Sequence, residues 1–291
     1  MGRQLAGKGR KNGLFSLILI LTLLTGLSLL LYPTISDWWN SFHQSRAIAS
    51  YVETVEELDD DAYAQLWEDA QAYNEALAQD NSRFQPSEEE SVRYNELLNL
   101  SGTGIMGYVE IPSIDVALPI YHGTDEAVLQ VAVGHIEGSS LPVGGPGTHT
   151  VLSGHRGLPS ATLFTDLDQL DMGDVFLLHV LGETLTYQVD QIRIVEPDDV
   201  SLLALEEGED LCTLVTCTPY GVNSHRLLVR GRRIETPDKL KHIRVTADAI
   251  KIEPIITAPI MALPLLLVLL LWLLFSNRKR KSTRGEKHET H

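Results

Sequence analysis

The chain has 291 residues and a formal net charge of −16, enough for one domain of ordinary size with appendages. The charge is split: residues 1–13 and 276–291 hold 10 of the 23 basic residues and 2 of the 39 acidic ones, leaving 13 basic against 37 acidic, or −24, between them. An acidic span of that size argues against nucleic-acid binding; it favours cationic partners or serves solubility alone.

Residues 14–32 and 255–275 are uncharged apolar runs of 19 and 21 residues. Each matches the roughly 20 residues a helix needs to cross a bilayer. Pro259 and Pro264 predict a kinked or partly interfacial entry of the second run. Arg3, Lys8, Arg10 and Lys11 precede the first run, and Arg278, Lys279, Arg280, Lys281, Arg284 and Lys287 follow the second. Positive flanks stay in the cytoplasm, so both termini are expected inside and residues 33–254 outside. The alternative for the first run is a cleaved secretory leader. Its length and the lack of an A-x-A-like site favour an uncleaved anchor.

Residues 36–79 carry apolar and aromatic positions at helical spacing, among them Trp38, Tyr51, Leu66 and Tyr73, and predict a helix. Asp80 to Glu90 has turn and loop composition. From Gly104 the pattern changes to short strands at 107–111, 116–120, 148–153, 175–180, 184–195, 211–217 and 227–234, separated by glycine- and proline-rich turns. Residues 163–170 predict a short helical turn. Many short strands with few helices suggest a β-barrel or sandwich.

Two cysteines, Cys212 and Cys217, fall in the exported span. Five residues apart on one strand, they lie about 16 Å apart and face opposite sides. A disulfide needs Cα atoms within about 7 Å, so no bridge joins them along the strand. Cys212, between Leu211 and Thr213, reads as a buried small hydrophobe. Cys217 is a free thiol at a strand end, and an exported free thiol points to reactivity. A free thiol with a pKa of about 8.5 is mostly protonated at neutral pH, so a nucleophilic cysteine needs an imidazole or cation beside it. His155, on the turn Ser153-Gly154-His155-Arg156-Gly157, and Arg226, nine residues past Cys217, supply both. The strands bearing Cys217 and Arg226 are expected to form a hairpin whose end side chains meet at one mouth of the barrel. Cys, His and Arg together are the parts of a thiol acyl-transfer site; taken singly, His155 also reads as a structural turn histidine and Arg226 as a surface ion-pair residue.

The stretch Thr213-Leu214-Val215-Thr216-Cys217-Thr218-Pro219-Tyr220-Gly221-Val222-Asn223-Ser224-His225-Arg226-Leu227-Leu228-Val229-Arg230-Gly231 resembles the sortase family, specifically its class C, pilus-assembling members. Ser153-Gly154-His155-Arg156-Gly157-Leu158-Pro159, Gly107-Tyr108-Val109-Glu110-Ile111-Pro112, Leu118-Pro119-Ile120-Tyr121-His122-Gly123 and Val133-Gly134-His135 extend the resemblance over about 104–233. It implies a mainly-β fold: an eight-stranded barrel with an N-terminal helical extension and a transmembrane helix at each end. The division it suggests is a basic cytoplasmic tail at 1–13, an anchor at 14–32, a helical and lid region at 33–103, the catalytic barrel at 104–235, a linker at 236–254, a membrane helix at 255–275 and a basic tail at 276–291.

The resemblance further implies Cys217 as nucleophile, His155 as proton-transfer partner and Arg226 as substrate and oxyanion stabiliser. The thiolate attacks the Thr–Gly bond of an LPXTG-like sorting signal, and a pilin lysine resolves the thioester into an isopeptide bond. No metal or cofactor is called for. Thr216 is a candidate cleft residue. His122 and His135 read as structural, and His225 is expected to face the other side of its strand from Arg226. Many pilus sortases carry an Asp-Pro-aromatic lid; here the segment is Asp80-Asn81-Ser82-Arg83-Phe84-Gln85-Pro86, without that triplet. Phe84, with Asp80, covers Cys217 in an altered lid, or the segment is an open linker. A sortase that anchors proteins to peptidoglycan is the alternative within the same chemistry, and a membrane-tethered adhesion module is the non-enzyme alternative. A peptidoglycan-crosslinking cysteine transpeptidase would carry a Ser-His-Gly-Cys type motif, which is absent.

Overall fold

The computed structural model describes residues 8–100 and 102–237. The apolar run at 255–275, most of the linker before it and the basic tail after it lie outside the described residues. By their contacts, residues 36–237 belong to one compact unit, separate from residues 8–35.

Helix α1 spans Lys8–Glu56. Its stretch Ile18–Glu56 includes a segment of mean hydropathy 2.1 with none of it buried, long and apolar enough to cross a membrane. Ile18, Leu21, Leu24, Leu29 and Leu30 are exposed there. A helix suits such a segment because it satisfies every backbone polar group internally.

In the unit of residues 36–237, Ile48 and Tyr51 of α1 pack on Ile105 and Tyr108. The Tyr51 hydroxyl donates to the Met106 carbonyl at 3.1 Å and accepts from the Leu181 N–H at 2.8 Å. Nearer the start of this unit, Asn40 donates to the Ser160 carbonyl at 2.8 Å. The Asp37 carboxylate accepts from the Thr162 N–H at 2.7 Å and its hydroxyl at 3.0 Å.

The helix expected over 36–79 is two helices. α1 ends at Glu56 and α2 runs Asp60–Leu77, because Asp59 takes a β-region backbone and its carboxylate accepts the Ala62 N–H at 2.7 Å. A further helix, α3 (Glu88–Glu96), begins where a loop was expected. Ser87 and Glu90 close a capping box there, which satisfies two otherwise orphaned N–H groups.

Eight strands follow: β1 (Ile105–Ile111), β2 (Val116–His122), β3 (Val133–His135), β4 (Thr148–Ser153), β5 (Val175–Val180), β6 (Glu183–Val195), β7 (Asp210–Thr218) and β8 (His225–Ile234). A four-residue helix, α4 (Glu126–Leu129), precedes β3. They close into a barrel in the order β1-β2-β3-β4-β7-β8-β6-β5. The β2–β3 and β4–β7 pairs are parallel and the rest antiparallel. β3 has only three residues, too few to show an alternation in the sequence. The helical turn expected at 163–170 is a 3-10 turn at Leu167–Gln169.

Alternation sorts the side chains into two clusters. Leu152, Leu178, Tyr187, Cys212, Leu214, Leu227 and Val229 join the main core. Their neighbours Val151, Val215 and Leu228 form a separate cluster with Leu203 on the outer wall.

The helical extension is fastened by a buried polar network. The Tyr94 hydroxyl, on α3, lies 2.9 Å from Nδ1 of His135 and accepts from the Gly123 N–H at 3.0 Å. Nε2 of His135 donates to the Ser140 carbonyl at 2.9 Å. His122 sits between the Gly104 and Leu97 carbonyls, 2.9 and 2.7 Å from its two ring nitrogens. Both histidines therefore occupy structural positions. Complete burial pushes His135 down from 6.5 to about 4. The unfolded chain takes up this proton near pH 6.5 and the folded chain only near pH 4, so the fold loses stability as pH falls through that window. His149, which burial also lowers, acts in the same direction. Thermal melting followed by near-UV circular dichroism is expected to show a midpoint that declines from pH 7 to pH 4. A flat midpoint would contradict the assignment.

Candidate active site

β7 and β8 are joined by a short turn and pair antiparallel, and Cys217 stands directly opposite Arg226 in the register. Both residues share the parity of Val215 and Leu228, so the pair lies on the outer wall of the barrel, next to the turn end of the hairpin. Cys217 is half-buried and free. The guanidinium of Arg226 donates to the carbonyls of Asn223 at 3.4 Å and His225 at 3.2 Å. No carboxylate forms an ion pair with it among the described residues, which leaves its charge available to an anion. His225, on the opposite face of the strand, meets Glu196 at 3.3 Å.

His155 follows β4, which runs parallel to β7 with Ser153 beside Val215. The pairing is continued past the strand end by Gly154, whose N–H donates to the Val215 carbonyl at 3.0 Å and whose carbonyl accepts the Thr216 hydroxyl at 2.8 Å. Continued one step further, that register would set His155 level with Cys217. Its carbonyl accepts the Phe164 N–H at 3.1 Å, while its imidazole has no hydrogen-bond partner among the described residues. Only glycine fits at 154: a Cβ there would stand 2.7 Å from the Phe164 ring.

The register pairs Cys217 with Arg226, and the bonds of Gly154 bring the backbone of the His155 loop alongside β7. Thr216 does not join them. Its side chain is buried on the inner side of β7 and bonds Gly154, so its contribution is to hold the histidine loop and not to line a cleft.

The segment 80–86 lies on the same outer wall. Phe84 packs against the cluster of Val151, Val215 and Leu228, and Val215 is two residues from Cys217 on the same face. Arg83 covers the Phe84 ring at 4.4 Å and donates to the Gly138 carbonyl at 3.2 Å and the Leu203 carbonyl at 2.7 Å. At Gly138 (φ +88°) a Cβ would stand 2.2 Å from the Arg83 carbonyl oxygen. Asp80 turns inward on its own segment, accepting the Ser82 hydroxyl at 2.7 Å and N–H at 2.8 Å. Those bonds hold its carboxyl below the usual range.

Cys212 is a different kind of thiol. It is fully buried in the barrel core, and burial pushes its pKa well above the ordinary value. Arg156 was not singled out by the sequence, although it adjoins His155. Its side chain is only 9% exposed and it pairs with Asp168.

A closed barrel with a half-buried thiol opposite an arginine, and a histidine-bearing loop bonded to the thiol's strand, suits a cysteine acyl-transfer protein. Residues 109–234 match the sortase domain family, and the chain belongs to the sortase family. It is similar to the crystal structure of sortase C1 from Streptococcus agalactiae, with 51% identity and a TM-score of 0.65 over 66% of this chain and 100% of that one. It is also similar to sortase C of Streptococcus pneumoniae, whose crystal structure bears on pilin substrate specificity, with 48% identity and a TM-score of 0.58 over 66% and 97% of the two chains. Sortase D of Bacillus subtilis is 34% identical over 131 residues, or 44% of this chain and 63% of that protein.

Proposed function

We propose that the chain is a membrane-anchored cysteine transpeptidase that joins pilin subunits. The Cys217 thiolate attacks the Thr–Gly bond of an LPXTG-like sorting signal and forms a thioester on the threonyl carbonyl. His155 gives a proton to the departing glycine amine and takes one from the incoming lysine amine. The lysine nitrogen then displaces Cys217 and an isopeptide bond forms. Arg226 stabilises the oxyanion of each tetrahedral intermediate and orients the signal. The catalytic span faces outward, with an anchor at each end and both termini in the cytoplasm.

The observation that carries this reading is the register that sets Cys217 opposite Arg226 while Gly154 is stitched to β7 beside them. The pilin substrate is supported by the similarity to sortase C proteins and by the helical extension of residues 36–100. Anchoring to peptidoglycan would use the same thioester with a different amine.

Phe84 acts as a lid by occupying the apolar wall beside Cys217, with Arg83 pinning it through two carbonyls. The test is intact-mass spectrometry of the full chain with an LPXTG-type peptide. The wild type is expected to gain the mass of the peptide up to threonine, mapped to Cys217. Phe84→Ala and Gly138→Ala are expected to speed adduct formation by up to about tenfold, the worth of roughly 1.4 kcal/mol of lost ring burial. Absence of an adduct in all three proteins would reject the transpeptidase reading. Equal rates in all three would reject the lid.

A further inference from the structure

The loop that carries His155 touches the strand that carries Cys217 at points on both sides of the reacting pair. Ahead of it, Gly154 bonds Val215 and Thr216. Beyond it, the Arg156 guanidinium donates to the Thr218 hydroxyl at 3.5 Å and lies 5.8 Å from the centre of the Tyr220 ring. A Cβ on Gly157 would stand 2.9 Å from that ring, so the tyrosine lies directly against the loop backbone. His155 is therefore held between Gly154 and Arg156 as Cys217 is held between Thr216 and Thr218.

We propose that Arg156, held by Asp168, is a positioning residue that locks the His155 loop onto the segment Thr218–Tyr220 and so fixes the imidazole relative to the thiol. The inference rests on the roles assigned above to Cys217 and His155. Four observations carry it. Arg156 is the immediate neighbour of His155. Its side chain is 9% exposed, against 46% for Asp168. Its terminal nitrogens reach Asp168 on the 3-10 turn and Thr218 at the end of β7 at once. Its Nε is buried without a hydrogen-bond partner among the described residues.

That last point bears on why an arginine stands here. Burying a charge with incomplete hydrogen bonding is unfavourable, and apolar replacements for such pairs are often neutral for stability. Fold stability alone is therefore a weak reason for this residue. A planar fork with donors at two ends, which lysine lacks, is what joins Asp168 to Thr218 across the loop.

The experiment uses the full chain in detergent micelles, as wild type, Arg156→Leu, Arg156→Lys and Asp168→Asn. It records kcat and KM for a sorting-signal peptide, the melting temperature, and the ring resonances of 15N-labelled histidines. A displacement of about 1 Å in a reacting group costs on the order of 10²-fold, so kcat for Arg156→Leu is expected to fall by that factor with KM within about twofold. Arg156→Lys is expected not to restore it. Asp168→Asn is expected to show a smaller loss in kcat. The His155 resonances are expected to move in Arg156→Leu while those of buried His135 and His149 stay in place. Unchanged kcat overturns the proposal, as does a joint shift of all three histidines with a lowered melting temperature, which marks a role in folding only. If the wild type turns over no sorting peptide, the transpeptidase reading fails separately. The spectra still decide the clasp, and an unmoved His155 resonance overturns it.

Discussion

Cys217→Ala is expected to reduce sorting-peptide turnover to the uncatalysed level, a loss on the order of 10⁴-fold or more. The thioester route needs a sulfur at this position of β7, and the second thiol cannot take over. Cys212 faces the barrel core, fully buried, and its thiol is held protonated by that burial. Cys212→Ser is therefore expected to retain turnover if it folds. The Cys217 side chain is half-buried on the outer wall, so its loss is expected to leave the melting temperature nearly unchanged. Single-turnover assays with a quenched fluorescent peptide measure the rate directly. Residual activity in Cys217→Ala within about tenfold of wild type would end the covalent mechanism for this chain.

His155→Ala is expected to lower kcat by about 10² to 10⁴, the usual worth of a positioned acid–base group, with KM little altered. In the proposed mechanism both half-reactions pass a proton through this ring, so cleavage and amine transfer should slow together. Arg226→Ala is expected to cost about 10² to 10³, in the range of a lost oxyanion donor, and to raise KM if the guanidinium also orients the signal as proposed. The contrast in KM separates the two roles. Equal KM effects would mean that Arg226 does not contact the substrate.

Much of this arrangement was legible in the chain. Runs of β-branched residues bounded by glycine and proline located seven of the strands, with ends displaced by at most two residues. The hairpin between Cys217 and Arg226 followed from its turn, Pro219-Tyr220-Gly221. The face on which the pair sits could not be read from the chain, because alternation tells two faces apart without saying which is inner. The clusters around Leu214 and Val215 decide that only once the barrel closes.

The misread helices have local causes. The break before α2 depends on Asp59 acting as a cap within an acidic run that also reads as helix surface. The capping box of α3 was present as Ser87 and Glu90, but the neighbouring proline and polar residues gave the segment the composition of a loop. Thr216 looked like a cleft residue because it adjoins the thiol, yet neighbours on a strand point to opposite sides. The partner of Arg156 lies twelve residues away across a loop, and nothing in the spacing of the two announces their contact.

The bonds from Asp37 and Asn40 to Thr162 and Ser160 bear on how a soluble version of this enzyme should be cut. A start at Ser36 keeps both grips on the stretch of chain that follows His155. A start after Asn40 leaves every strand of the barrel intact and yet frees that stretch on one side. Two soluble preparations differing by five residues at the N-terminus would then melt alike and differ in turnover, and activities measured on one would not transfer to the other.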